Sequence, residues 1–310
     1  MNAQGPAPGF ETAATVVQRL GVLLDAGVAP SSAWQHAASG VGSPVAAAVA
    51  ASIVDRGAVG RELVEELLAA RALAPPAERE AWAALAASWA VATESGAALA
   101  PALRRFARVL RSLAQGRRDV EVALAGPVAA ARIVLALPVV GLLFGMLLGF
   151  DALRMLATTP AGWVCLVVGA LLVVAGVRWN RRLIHRALSL DATPGLALEL
   201  LAIAVSGGAS LDRARELVDR TLIEAQLPAL DGSADAVLAF SRAAGVPAAA
   251  LLHVEAEERR RVATADAQRG AVELGTALLL PLGVCILPAF VALGVAPIVL
   301  SIVSSTAAAI

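Results

Sequence analysis

The sequence contains no lysine and no tyrosine, and all 25 of its basic residues are arginine. The absence of lysine excludes a P-loop lysine, a Schiff base and a lysine general base together. Its two cysteines, Cys165 and Cys285, lie 120 positions apart in apolar runs. That placement is typical of small buried side chains rather than of a disulfide or a metal pair, so we expect no redox chemistry.

Charge is scarce as well. Only 16% of the 310 residues are charged and 58% are hydrophobic, whereas soluble domains have about 25% and roughly 45–50%. The 25 acidic residues balance the 25 arginines, so no overall charge favours nucleic acid or an acidic ligand. The apolar excess predicts segments buried in lipid.

Three charge-free apolar runs predict transmembrane helices. The first, Ile133–Phe150, has 18 residues and would be about 27 Å long, close to the roughly 30 Å hydrocarbon core of a bilayer. The second, Met155–Val177, follows after Asp151–Arg154, so the two form a tight hairpin. In the third, Leu274–Ile310, we favour one crossing with an apolar tail over two crossings. We expect this run to bend at its prolines, Pro281, Pro288 and Pro297.

The placement of arginine predicts the orientation of these spans. Arginines are concentrated before the first span, after the second and before the third, whereas the intervening turn has only Arg154. Because arginine-rich flanks stay in the cytoplasm, we expect both large polar regions and the N-terminus inside and the C-terminus extracytoplasmic. Met1–Phe10 has neither a basic region nor an apolar core, so we expect the spans, not a cleaved signal peptide, to direct insertion.

The first 125 residues predict an antiparallel bundle of six helices. Alanine and leucine recur at helical spacing, and glycine, proline and serine interrupt the pattern. Ser43-Pro44 and Pro75-Pro76 are favourable helix starts, because proline in the first turn loses no hydrogen bond. No stretch shows the alternation of a strand, so the predicted fold class is an all-α integral membrane protein.

Residues 190–270 repeat this pattern in a shorter form. Gly27 aligns with Gly208 at an offset of 181 positions, and Gly96 aligns with Gly245 at an offset of 149. The second copy is therefore 32 residues shorter, lacks counterparts of the third and fourth helices, and should fold as about four. Its leucines must be covered by copy one, a second subunit or another partner, or by one another.

Two cytoplasmic helical bundles and three transmembrane helices are thus predicted. Their boundaries are 1–125 for bundle copy one, 126–150 for transmembrane helix 1, 151–154 for an extracytoplasmic turn, 155–177 for transmembrane helix 2, 178–271 for the truncated copy two, and 272–310 for transmembrane helix 3 with its apolar tail.

No constellation of residues predicts an enzyme. The three histidines, His36, His185 and His253, lie in separate segments with no acid or cysteine at metal spacing, so we expect neither a metal nor a cofactor. Apart from Glu273 at the mouth of the third, the spans carry no ionisable residue, which disfavours the rival interpretation of a small-molecule transporter or channel.

The segment Val91–Leu103 contains Glu94-Ser95-Gly96 followed by Leu99 and Leu103, and it resembles the short signature of the F-domain family of type II secretion systems. Two positions differ: Ala92 replaces the leading glycine of the signature, and Ala243 stands in copy two where Glu94 stands in copy one. Any role of that glutamate is therefore confined to copy one.

With the duplicated bundle and three spans, the whole chain is similar to this family, and its arginine-only, alanine-rich composition is similar to Tad-type platform proteins of actinobacteria. The resemblance implies a multi-pass plasma (inner) membrane platform beneath a pilus or a secretion pseudopilus. It implies a cytoplasmic secretion ATPase, pilin or pseudopilin subunits and a paralogous platform protein as partners, and a homo- or hetero-oligomer. We expect no nucleic acid among the partners.

Three groups of side chains are candidates for motif and partner contacts. Glu94 either fixes its turn through local amides or an arginine, or contacts a partner. The arginine stripe before the first span either sets the topology and contacts lipid headgroups or contacts a partner. The acidic cluster is either a solvated face or a docking site for a basic ATPase surface. The candidates are Glu94, Ser95, Gly96, Leu99, Leu103, Arg104, Arg105, Arg108, Glu62, Glu65 and Glu66.

Three glycines at four-residue spacing in the first span are candidates for helix packing: Gly141, Gly145 and Gly149. Such spacing permits close backbone approach, either between subunits or between helices of one chain.

Overall fold

The computed structural model describes residues 9–58, 60–147, 159–188, 193–296 and 299. Within these ranges every regular element is a helix, which confirms the predicted all-α class. The first helices are α1 (Gly9–Asp25), α2 (Pro30–Ala38), α3 (Pro44–Arg56), α4 (Arg61–Ala70) with a 3₁₀ turn (Arg71–Leu73), α5 (Pro76–Ser95) and α6 (Leu99–Leu147).

The later helices begin with α7 (Pro160–Leu188). They continue as α8 (Leu196–Ser206), α9 (Leu211–Ala225), α10 (Ser233–Ala244) and α11 (Ala248–Ala277), and then α12 (Leu279–Pro281), a π-helical turn (Leu282–Ile286), α13 (Leu287–Phe290) and a second π-helical turn (Val291–Val295). The turn predicted at 151–154 lies outside the described residues.

The helix ends follow the serine, glycine and proline signals of the sequence. The Ser43 hydroxyl accepts a hydrogen bond from the Ala46 amide at 3.2 Å and caps α3, and Ser210 caps α9 in the same way. The aligned glycines adopt matching conformations: φ is +80° at Gly27 and +86° at Gly208. Corresponding positions of the two copies therefore end helices with the same backbone geometry.

Two compact units divide the chain. The first, here called the helical unit, comprises Met1–Arg118 and Asp191–Thr264, and the second, the apolar unit, comprises Asp119–Leu190 and Ala265–Ile310. The helical unit thus contains residues from both predicted bundle copies. Helices α6 and α11 each begin in the helical unit and end in the apolar unit, so α6 runs without a break past the boundary predicted at residue 126.

Helix α5 is the centre of the helical unit. All its residues from 81 to 92 are buried, which is the pattern of a helix enclosed on every side. Helices α1 and α4 of copy one and helices α8 and α9 of copy two pack against it. Copy one thereby covers leucines of the truncated copy, such as Leu200, Leu201 and Leu217, which are at most 7% exposed; each such burial contributes roughly 2 kcal/mol.

Among the residues that the structure describes, three helical stretches are long and apolar enough to cross a membrane: Leu99–Leu137, Gly162–Leu183 and Ala248–Val295. This confirms the three predicted membrane helices as helices of suitable length and composition. In the third stretch the two π-helical turns end two positions before residues 288 and 297, both proline in the sequence. A proline ring cannot pair with the carbonyl four residues earlier, and a widened turn relieves that mismatch: the Leu287 amide donates to the Leu282 carbonyl instead.

Candidate functional site

The turn that carries the Glu94-Ser95-Gly96 motif ends α5. Gly96 has φ of +73°, a left-handed conformation that glycine adopts without strain. The Ala97 amide donates to the Ala92 carbonyl at 3.0 Å and closes the end of the helix. The sequence motif therefore encodes a defined helix stop just beyond the buried part of α5, which ends at residue 92.

A glycine turn of copy two packs directly on this motif. A Cβ atom added to Gly207 would lie 2.4 Å from the Ser95 carbonyl oxygen, a distance that real Cβ atoms do not show. Only glycine fits at this position, because the two backbones are in contact. The motif of copy one and the first turn of copy two thus form one close backbone contact.

Glu94 is paired across the same contact. Its carboxylate accepts a hydrogen bond from the Arg220 guanidinium on α9, and the two side chains are 40% and 47% exposed. Of the interpretations considered for Glu94, the structure shows contact with an arginine, but that arginine belongs to copy two rather than to the local turn.

Two further arginines of copy one reach the C-terminal end of α9. Arg61 pairs with Glu224 at 3.2 Å, and Arg71 donates to the Ala225 carbonyl at 2.7 Å. Gln226, whose φ of +56° is the only positive value for a non-glycine among the described residues, also accepts from Arg71. Arg71 therefore stabilises a helix end that no glycine terminates.

The remaining motif residues are structural. Leu103 is fully buried, and Leu99 packs against the core from the first turn of α6. Arg104 pairs with Asp25 at the end of α1. These contacts fix the start of α6 against α1.

Arg105 and Arg108 line a cavity of about 300 Å³ in the helical unit. Sequence reasoning missed two of its other residues, Glu199 and Arg260. A lone acid in the otherwise apolar helix Leu196–Ser206 was the available signal, because a buried carboxylate requires a partner. His253 lies with Nδ1 2.9 Å from Glu199 Oε1.

The acidic cluster on α4 is largely neutralised by nearby arginines. Glu66 pairs with Arg56 at 2.7 Å and Glu65 with Arg61 at 3.5 Å. Glu62 lies exposed in the first turn of the helix, where a carboxylate interacts favourably with the helix dipole.

Gly141 contacts another helix of its own chain in the apolar unit. A Cβ atom there would lie 2.6 Å from Cε2 of Phe290, so a side chain at this position would displace the ring. Gly145 lies in α6, and Gly149 lies outside the described residues.

In the ranges that the structure describes, no group of three histidine, cysteine or carboxylate side chains is placed to hold a metal ion. The motif contact and the cavity of Arg105 and Arg108 are therefore the arrangements from which a function can be argued.

Residues 16–147 match the family model of the type II secretion system (T2SS), protein F. The match begins within α1, covers the Glu94-Ser95-Gly96 turn and ends with α6. The resemblance to the F-domain family of type II secretion systems, inferred from the sequence, is thereby confirmed for residues 16–147. The F domain and the three apolar helices together indicate an inner-membrane protein of the secretion and pilus platform family. No curated protein and no solved structure matches the chain.

Proposed function

We propose that this protein is the inner-membrane platform of a Tad or type II secretion-like pilus machine, which couples a cytoplasmic secretion ATPase to pilin polymerisation. In this role it has no catalytic activity of its own. The ATPase, pilin subunits and a paralogous platform protein would be its partners.

The observation that carries this proposal is the continuity of α6. This helix has 49 residues, about 74 Å at 1.5 Å per residue. It begins after the motif turn of the F domain and includes the first apolar run as far as Leu147. The motif turn and the first apolar run are thus joined by helix rather than by a loop, as a platform that links a cytoplasmic bundle to the membrane would require.

The contact between the two copies supports the same role. Three contacts join copy one to copy two within one unit: Gly207 against Ser95, Glu94 with Arg220, and Arg71 with the end of α9. Because α11 of copy two also continues into an apolar stretch, a force on either copy would act on both helices together.

The test is deletion of the gene in its native bacterium, with restoration by the wild-type chain. We expect the deletion strain to make pilins that remain unassembled in the membrane, and the restored strain to display fibres by electron microscopy. Photo-crosslinkers at the exposed positions Glu62 and Glu216 should capture the secretion ATPase, whereas one at the buried Leu85 should not. Normal fibres in the deletion strain would refute the proposal.

A further inference from the structure

The cavity lined by Arg105 and Arg108 is built mainly of hydrogen-bond donors. Helix α6 contributes Arg105, Arg108, Val109 and Ser112, helix α11 contributes His253, Glu257 and Arg260, and Glu199 of α8 completes the lining. All these residues belong to the helical unit. Its volume of about 300 Å³ lies at the lower end of the range of small-molecule sites.

Each of the two acids of the cavity has an arginine outside the α6 pair beside it. Glu199, only 2% exposed, lies 2.9 Å from His253 and 3.7 Å from Arg260. Glu257 accepts a hydrogen bond from Arg261 at 2.6 Å. The acids therefore do not use up the positive charge of the arginines on α6.

The side chains of Arg105 and Arg108 make no hydrogen bond or ion pair with any other described residue, whereas the side chain of Arg104 beside them pairs with Asp25. They are three positions apart, which places both guanidinium groups on one face of α6. Exposed arginines without partners are common, but here two of them border the same cavity.

Arg260 supplies an independent observation. It is nine-tenths buried, yet its Nε and Nη1 atoms have no hydrogen-bond acceptor within the part of the chain that the structure describes. Nη1 lies 3.7 Å from the Glu199 carboxylate, beyond hydrogen-bond distance. A buried guanidinium with unused donors is costly, and an oxyanion in the adjoining cavity would offset that cost.

We propose that this cavity binds a phosphate group, either free inorganic phosphate or a phosphate of a nucleotide. Three guanidinium groups, an imidazole and the Ser112 hydroxyl offer more donors than the two oxygens of a carboxylate accept, whereas phosphate presents three or four oxygens and up to two charges. The small volume suits the phosphate itself, and because Arg105 and Arg108 are exposed, the rest of a nucleotide would extend into solvent. This site does not depend on the proposed platform function.

The experiment is calorimetric titration of the full chain in detergent with inorganic phosphate, ATP and acetate, at ionic strength held constant with sodium chloride. A double variant that carries both Arg105→Gln and Arg108→Gln is compared with wild type and with the single variant Arg111→Gln as the control. The control removes the same type of charge from the same helix, but Arg111 does not line the cavity. All three replaced arginines are exposed, so the core is unaffected, and each single variant is measured as well.

We expect phosphate or ATP to bind to wild type and to the Arg111→Gln variant, with affinity at least tenfold lower in the double variant and intermediate in the singles. Tighter binding of ATP than of phosphate would assign the site to a nucleotide, and the reverse to free phosphate. The proposal is overturned by the absence of binding, by equal loss in the Arg111→Gln control, or by acetate binding as tightly as phosphate.

Discussion

The Glu94 carboxylate, one residue from the end of α5, is held by the Arg220 guanidinium of α9. Copy two has alanine at the position of Glu94, so this ion pair has no symmetric equivalent. It is one of several polar links between the copies, beside the pair of Arg61 with Glu224 and the hydrogen bond from Arg71 to the Ala225 carbonyl.

Replacing the two partners of this pair should give a small but measurable coupling energy. Both side chains are nearly half exposed, and ion pairs of this kind contribute about 0.2–1 kcal/mol. We expect a double-mutant cycle of Glu94→Gln and Arg220→Gln to give a coupling within that range, and a smaller one at high salt. Thermal unfolding can be followed by tryptophan fluorescence, since three of the five tryptophans, Trp34, Trp82 and Trp89, are buried in the helical unit. A coupling of zero at low salt would mean that the pair does not form in solution.

Gly207→Ala should destabilise the helical unit by about 1–3 kcal/mol, the usual cost of forcing an added methyl group into a packed site. The added Cβ would lie 2.4 Å from the oxygen and 2.8 Å from the carbon of the Ser95 carbonyl, and backbone atoms cannot rotate away. Gly232→Ala is the matched control, because nothing lies within 4 Å of a Cβ there. Equal unfolding temperatures for the two variants would contradict the close contact of the turns.

The helices were predictable because their ends carry local signals. Ser43, Gly96 and Ser210 each act through atoms within five residues of themselves, and such signals are visible in a single sequence. The covering of copy two by α5 was one of several alternatives, since the pattern of leucines shows that a face must be buried but not which helix buries it.

The cavity was not predictable for a related reason. Arg105 and Arg108 stood out as part of a stripe, but Glu199 and Arg260 are separated by 61 positions. Glu199 is the one charge of its helix, whereas Arg260 is the middle one of three consecutive arginines and is not distinguished from its neighbours by the sequence. Only the packing of α8 near α11 places them 3.7 Å apart. Spacing along the chain contains no information about such contacts between helices.

Glu78→Gln should raise the stability of the helical unit at neutral pH. Glu78 is 7% exposed in the first turn of α5, and burial raises its pKa above the ordinary value, with the Trp82 indole acting in the opposite direction. A raised pKa in the folded state contributes stability below the unfolded pKa, and that contribution is lost as pH rises through the folded pKa.

The difference in unfolding temperature between the Glu78→Gln variant and wild type should therefore be close to zero below about pH 4.5, grow as pH rises and then level off. Glu62→Gln, at an exposed position of α4, should show no such trend. A difference for Glu78→Gln that stays constant from acid to neutral pH would show that the carboxyl group does not titrate as its burial requires.

Gly141→Leu should disrupt packing within one chain. Its side chain would overlap the Phe290 ring, 2.6 Å from the position of Cβ, so we expect a lower unfolding temperature that Phe290→Ala partly restores. Light scattering measures the mass of the detergent-solubilised complex, and this mass distinguishes packing within one chain from packing between subunits. Loss of oligomer mass in Gly141→Leu that Phe290→Ala does not restore would favour the second interpretation.

The N-terminus should be cytoplasmic and the C-terminus extracytoplasmic. Arginines precede α6's apolar run and follow that of α7 at Arg178, Arg181 and Arg182. Arg259, Arg260 and Arg261 precede the charge-free run that begins at Leu274, and such flanks are retained in the cytoplasm. This run is helical from Leu274 through Ala296 apart from Leu278, about 35 Å, which is enough for one crossing.

Reporter fusions measure this directly. Alkaline phosphatase, active only outside the cytoplasm, should be active when fused after Ile310 and inactive when fused after Ala225 between α9 and α10. A fluorescent protein that matures only in the cytoplasm should give the opposite pattern at the same two sites. An inactive phosphatase together with a fluorescent reporter at Ile310 would mean that the run from Leu274 crosses the membrane twice. The two copies share one buried core. A fusion at the N-terminus should therefore give the same reporter result as the fusion after Ala225. Different results would place the two halves of the helical unit on opposite sides of a membrane, which a single core does not permit.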